Sequence, residues 1–247
     1  MKKIIAVLLT LGLAIQFSQA QNDFRFGFQV SPSFGWMSTN SPDITGNGTN
    51  LGLKLGLIGE KYFRENYAFT FGLGFGFNEG GTLKYNGEGE VWPEVEVPAD
   101  FRTIITGTNL KNSLQYIEIP VGLKLRTQEF GYFRFFADIP VITLGILTQA
   151  KGDISGPYEN PPEGLDIRKG INFLTYSWGV GGGTEYTIGD NIALLAGIQF
   201  QTSFLDVTKD EGTTFCPTDN FDCALNPPKE DSNGKNNMIT LKLGVLF

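Results

Sequence analysis

The chain has 247 residues, with 19 Lys and Arg against 26 Asp and Glu, a formal charge of -7, and no His. A net acidic chain without a basic stripe argues against nucleic acid as a partner. The absence of His removes the commonest general base and the commonest metal ligand.

The first 20 residues, MKKIIAVLLTLGLAIQFSQA, carry Lys2 and Lys3, an apolar run from Ile4 to Ile15, and a small-x-small site ending at Ala20. This is the pattern of a cleavable secretory leader, so residues 1–20 are set apart and 21–247 form one domain. The apolar run is short for a membrane anchor, which needs about 20 residues. Without Lys2 and Lys3 the balance is 17 basic to 26 acidic, a net of -9. Glycine numbers 32 and phenylalanine 21, and no later run has the length of a transmembrane helix.

The period of the chain is two. At 67–77 the sequence reads YAFTFGLGFGF. Tyr67, Phe69, Phe71, Leu73, Phe75 and Phe77 fall on one face of a strand, and Ala68, Thr70, Gly72, Gly74 and Gly76 on the other. Phe24, Phe26, Phe28 and Val30 alternate with Arg25, Gly27 and Gln29. Leu51, Leu53, Leu55 and Leu57 alternate with Gly52, Lys54 and Gly56. Ile117, Ile119, Val121, Leu123 and Leu125 alternate with Glu118, Pro120, Gly122 and Lys124. Phe133, Phe135, Ala137, Ile139 and Val141 alternate with Arg134, Asp138 and Pro140. Leu174, Tyr176, Trp178 and Val180 are followed by Leu194, Ala196, Ile198 and Phe200. The terminal NNMITLKLGVLF makes the eighth such segment. No convincing helix lies between them.

Short polar connections, KYFRENY, RTQEFG and TIGDN, alternate with long ones at about 38–50, 79–112, 147–171 and 205–236. Short turns on one rim and long loops on the other predict an all-β, eight-stranded antiparallel up-and-down transmembrane β-barrel of the outer membrane. The bulky face then meets lipid. A soluble barrel would bury that face instead, and the Gly, Lys, Glu and Gln face would be too lean to serve as its core. Trp36, Tyr62, Tyr67, Tyr132, Trp178 and Tyr186 stand near strand ends, where interfacial aromatics are expected. Both termini are expected in the periplasm and the long loops outside the cell.

The assigned registers send Arg25, Lys54, Lys124, Arg134 and Lys242 into the lumen, together with Glu60, Glu118, Asp138 and Glu185. Eight strands enclose room for side chains only, and buried charges must be paired. The expectation is a salt-bridge plug, with a narrow ion path as the alternative. Pro120 and Pro140 lack a ladder donor, so a bulge is expected at each. Cys216 and Cys223 in CPTDNFDC are expected to form a local disulfide in an exported chain. In the second long loop, GEGEVWPEVEVPAD, Val91, Trp92, Val95 and Val97 suit an extension of the strands above the membrane. Trp92 there is either a partner anchor or loop packing. No spacing proposes a catalytic site, cofactor or metal centre, and a non-enzymatic protein is expected.

Two resemblances add to this. Phe247 resembles the terminal aromatic signal that the barrel-assembly machinery of Gram-negative bacteria reads. The stretch SLQYIEIPVGLKLRTQEFGYFRFF at 113–136, with the Gly-rich SWGVGGGTEYTIGDNIALLAGIQF, is similar to PorT-family outer-membrane barrels of Bacteroidetes. That likeness implies an accessory or interaction component for protein export by the type IX system, with secretion proteins as partners. The other functions compatible with the residues are a structural barrel or narrow porin, and a surface adhesin acting through the second and fourth long loops.

Overall fold

A computed structural model describes residues 24–189, 192–209, 212–213, 229 and 231–247. The leader and the Cys216–Cys223 pair lie outside the described residues. The strands in chain order are β1 (Phe24–Ser38), β2 (Ile44–Arg64), β3 (Tyr67–Tyr85), β4 (Gly89–Glu90), β5 (Thr103–Ile104), β6 (Thr108–Arg126), β7 (Phe133–Ser155), β8 (Leu165–Asp166), β9 (Leu174–Ile188), β10 (Ile192–Ser203) and β11 (Lys235–Leu246).

Eight of them close a ring in the order β6-β3-β2-β1-β11-β10-β9-β7, with β6 pairing back to β7. Each pairs antiparallel with its neighbours along the chain, the up-and-down arrangement. The ring is sealed where β1 meets β11, from Gly27 opposite Leu246 to Ser38 opposite Lys235. Closure leaves no row of unpaired donors and acceptors, which a low-dielectric surround requires.

The alternation sets which face is which. Phe26, Phe28, Val30, Leu51, Leu57, Phe69, Leu73 and Leu243 all point outward and are exposed. In water such a belt would be an uncompensated hydrophobic surface. In hydrocarbon it is solvated.

Strand length divides the ring in two. β1, β9, β10 and β11 have 15, 15, 12 and 12 residues, close to the roughly 9–11 that span a bilayer. β2, β3, β6 and β7 have 21, 19, 19 and 23. Much of the sequence expected as loop at 38–50, 79–112 and 147–171 is therefore strand. These four strands run on past the apolar belt, and there the pattern inverts. Leu110, Leu114, Ala150 and Ile154 are buried, while Lys111 and Asp153 face outward and pair across the strands at 3.7 Å. The extension packs apolar side chains inward as a water-soluble sheet does.

Several bulges interrupt the ladders, and two of them reset the faces that carry the lumenal charges. At Ile139–Pro140 the β7–β9 ladder shifts register between Asp138 and Val141, as a proline in the strand demands. Beyond it the faces exchange. Val141, expected toward lipid, is buried at 5% exposure, and Ile142 takes the outer face. Pro120 makes no bulge of its own. It stays in register opposite Thr143, and the β6–β7 shifts lie on either side of it, one between Gln115 and Tyr116 and one between Gly122 and Lys124, opposite the β7 bulge. The second parity change is in β3, between Gly76 and Glu79. Asn78 takes φ 55° and Gly80 φ 101°, left-handed values that Asn tolerates and Gly adopts freely.

Candidate functional site

Four elements bring the first charge cluster together. Lys124 of β6 places Nζ 2.5 Å from Glu60 Oε1 and 2.6 Å from Glu185 Oε1, with all three side chains 1% exposed. Arg25 of β1 reaches Glu185 at 2.8 Å and Glu60 at 3.5 Å. Tyr62 donates its hydroxyl to Glu60 Oε2 at 2.7 Å. Tyr62 thus points into the lumen, buried at 5% exposure, not into an interfacial girdle. Its parity in β2 matches that of Glu60 and Lys54. Beside this cluster Lys242 of β11 meets Asp138 of β7 at 2.5 Å. The Phe136 ring lies 4.3 Å from Lys124 Nζ, adding a cation–π contact to the ion pairs.

A second cluster sits nearer the long-loop end. Lys54 Nζ pairs with Glu118 at 2.6 Å and with Glu79 at 3.2 Å. It also donates to Gln201 Oε1 at 3.1 Å, and Gln201 donates onward to Thr143 at 2.9 Å. Glu79 belongs to this set because the bulge at Asn78 turns it inward. A Cβ on Gly76 would lie 2.1 Å from Glu79 Oε1, so the carboxylate occupies space that only glycine leaves.

Between the clusters is a cavity of about 80 Å³, lined by Gln29, Glu118, Asp138, Gln199, Thr240 and Lys242 among others. Charged and amide groups line it beside apolar ones such as Val141 and Leu195, and a water needs roughly 10–15 Å³ on this measure, so the space has room for a few waters. The arrangement fills the lumen with charge that is paired across strands. Each pair contributes little beyond its own desolvation, but removing one partner strands the other without water.

The other residues singled out in the sequence lie elsewhere. Arg134 does not join the lumenal pairs. It bonds Glu129 in the β6–β7 turn at 2.5 Å, with its side chain 30% exposed. Phe247 exchanges backbone hydrogen bonds with Phe26, at 2.6 and 3.3 Å, and its ring meets Phe28 edge-on at 6.3 Å. Trp92 is 9% exposed and belongs to the core of the extension, with Val91, Val95, Val97 and Ile104. Its ring lies where a Cβ on Gly152 would come within 2.6 Å and one on Gly170 within 3.0 Å. Of the two roles left open for Trp92, the structure places it as packing. Its φ of 51° is costly for a bulky residue and is held by that packing. On the surface of the extension, Arg168 donates to both carboxylate oxygens of Asp166, which holds Asp166 below its ordinary value.

A closed eight-stranded ring with a greasy exterior and a charged, filled interior is a transmembrane β-barrel. The chain belongs to the outer membrane protein beta-barrel domain family, whose model matches residues 17–209. No curated protein matches the chain. Among solved structures it is similar to Neisserial surface protein A, with 11% identity, a TM-score of 0.40, and 90% of this chain and 95% of that one covered. It is similar too to Ail, the attachment invasion locus protein of Yersinia pestis, with 10% identity, a TM-score of 0.42, and 91% and 99% covered. A major outer membrane protein from Thermus thermophilus is similar at 12% identity and a TM-score of 0.41, with 90% and 98% covered.

Proposed function

We propose that this is a non-enzymatic outer-membrane barrel, closed to conduction, that works by displaying its extension to a protein partner. In this reading the long-loop end faces outward from the cell and both termini face the periplasm. Phe247 serves as the signal for the barrel-assembly machinery. The likeness of 113–136 to PorT-family barrels makes an accessory role in type IX protein export the leading version.

The observation that carries the proposal is the extension itself. Four strands continue past the lipid belt and enclose an apolar core around Trp92. A barrel that only had to seal or cross the membrane has no use for such a head, whereas a partner-binding protein needs a rigid scaffold outside the bilayer. The filled lumen weighs against the narrow-porin alternative.

The test is recovery of a tagged copy from native outer membranes in mild detergent, read by mass spectrometry. Stoichiometric recovery of an export component, lost when the tip 86–107 is replaced by a short linker, supports the proposal. Recovery of the barrel alone contradicts it and leaves a self-standing structural barrel or adhesin.

A further inference from the structure

The short-turn mouth of the barrel holds a second feature, independent of the head. The β2–β3 turn and the β6–β7 turn enclose an open pocket of about 660 Å³ lined by Arg64, Arg126 and Arg134. That volume lies within the roughly 300–1,000 Å³ of small-ligand pockets.

The arginines are not equivalent. Arg126 is pre-set: its guanidinium carbon sits 3.9 Å from the centre of the Tyr62 ring, and its Nε donates to the Glu65 carbonyl at 2.9 Å. Stacking and one anchored nitrogen fix the plane of the fork, and its terminal nitrogens hold no protein hydrogen bond among the described residues. Arg64 is exposed and has no ion-pair or side-chain hydrogen-bond partner among the described residues. Arg134 is committed to Glu129. Two guanidinium groups without an ion-pair partner among the described residues thus line one pocket, one of them oriented in advance. Planar forks match carboxylate and phosphate geometry.

Two facts narrow the anion. Arg126 follows Lys124 on the inner face of β6 and stacks on the inward Tyr62, so a lipid headgroup on the outer wall is on the wrong side of the sheet. The pocket also contains Glu65 and Glu129. Three arginines against two glutamates leave a formal charge of +1, which a monoanion neutralises and a dianionic phosphate would overcompensate to -1. We infer that the short-turn mouth is a binding site for a peptide carboxylate, gripped by Arg64 and Arg126, presented by a protein from the aqueous compartment on that side of the membrane.

The probe is a rhodamine-labelled tetra-alanine peptide ending in a free carboxylate, with the carboxamide form as its pair. Each is titrated against the purified barrel in micelles by fluorescence anisotropy. The carboxylate peptide should bind saturably and the carboxamide at least tenfold more weakly, the loss typical of a charge-assisted bond. Arg64→Gln, at a side chain with no ion-pair or hydrogen-bond partner among the described residues, and Arg126→Gln should each weaken binding by roughly tenfold or more. At matched ionic strength acetate should compete better than phosphate. Equal binding of the two peptides, absence of saturable binding, indifference to both substitutions, or stronger competition by phosphate would overturn the assignment. Because Arg126 also ties down a turn, each variant is first checked for the mobility shift of the folded barrel. If Arg126→Gln fails that check, Arg64→Gln decides.

Discussion

Lys124 and Glu185 meet at 2.6 Å inside the barrel, both side chains 1% exposed, across strands that are not neighbours in the ring. Only β7 stands between β6 and β9, so the contact bridges over that strand on the inner face, and Arg25 of β1 reaches the same Glu185 carboxylate at 2.8 Å from beyond β11 and β10.

Replacing Lys124 with Met leaves Glu60 and Glu185 with Arg25 as their one remaining cation and the Tyr62 hydroxyl on Glu60. Stranding a buried charge costs on the order of 3–5 kcal/mol. Urea unfolding of the micelle-embedded barrel, followed by tryptophan fluorescence, should show a loss of that size. A variant as stable as the parent would mean that the network is solvated and adds no constraint.

Glu118→Leu is milder. Lys54 keeps Glu79 and Gln201 after the change, so the expected loss is about 1–3 kcal/mol. It should lower thermal stability without opening a path. A stable variant with a new conductance would refute the plug.

The sequence carried the eight outward stripes and most of the inward charges, because the period of two holds wherever a strand is regular. It failed wherever a bulge reset that period. Glu79 fell in an assumed loop, and only the left-handed Asn78 turns it toward Lys54. Val141 lies on the inner face for the same reason at Pro140. Tyr62 departs from the interfacial expectation by a different route. Its position near a strand end outweighed its parity, although it shares its face with Glu60. Of the head, the Val91–Val97 stretch was legible as an extension, but its strands were not, because they bury Leu110, Leu114 and Ile154 and expose lysines, the reverse of the pattern in the lipid belt. Pairing across the lumen, such as Arg25 with Glu185 160 positions away, follows from ring order, which no local period encodes.

Gly76→Ala tests the bulge. Its Cβ would meet Glu79 Oε1 at 2.1 Å, so the carboxylate must leave Lys54 or the strand must shift. Overpacking of this kind costs roughly 1–3 kcal/mol. Combining it with Glu79→Ala should recover part of the loss, since the crowding atom is gone. No recovery would place the strain in the backbone instead.

Trp92→Ala should act on the head alone. Removing a buried Trp costs about 3–5 kcal/mol, enough to loosen the loop around Arg102. Limited trypsin digestion should cut there faster than in the parent, while the barrel keeps its heat-modifiable mobility. Unchanged protection would show that the core stands without its largest side chain.

The most direct test of the central claim, a lipid-spanning barrel closed by its own charges, is single-channel recording of the purified chain in planar bilayers. A flat baseline is expected from barrels whose folded mobility shift proves insertion competence. Persistent, uniform conductance steps from the unmodified chain would contradict it.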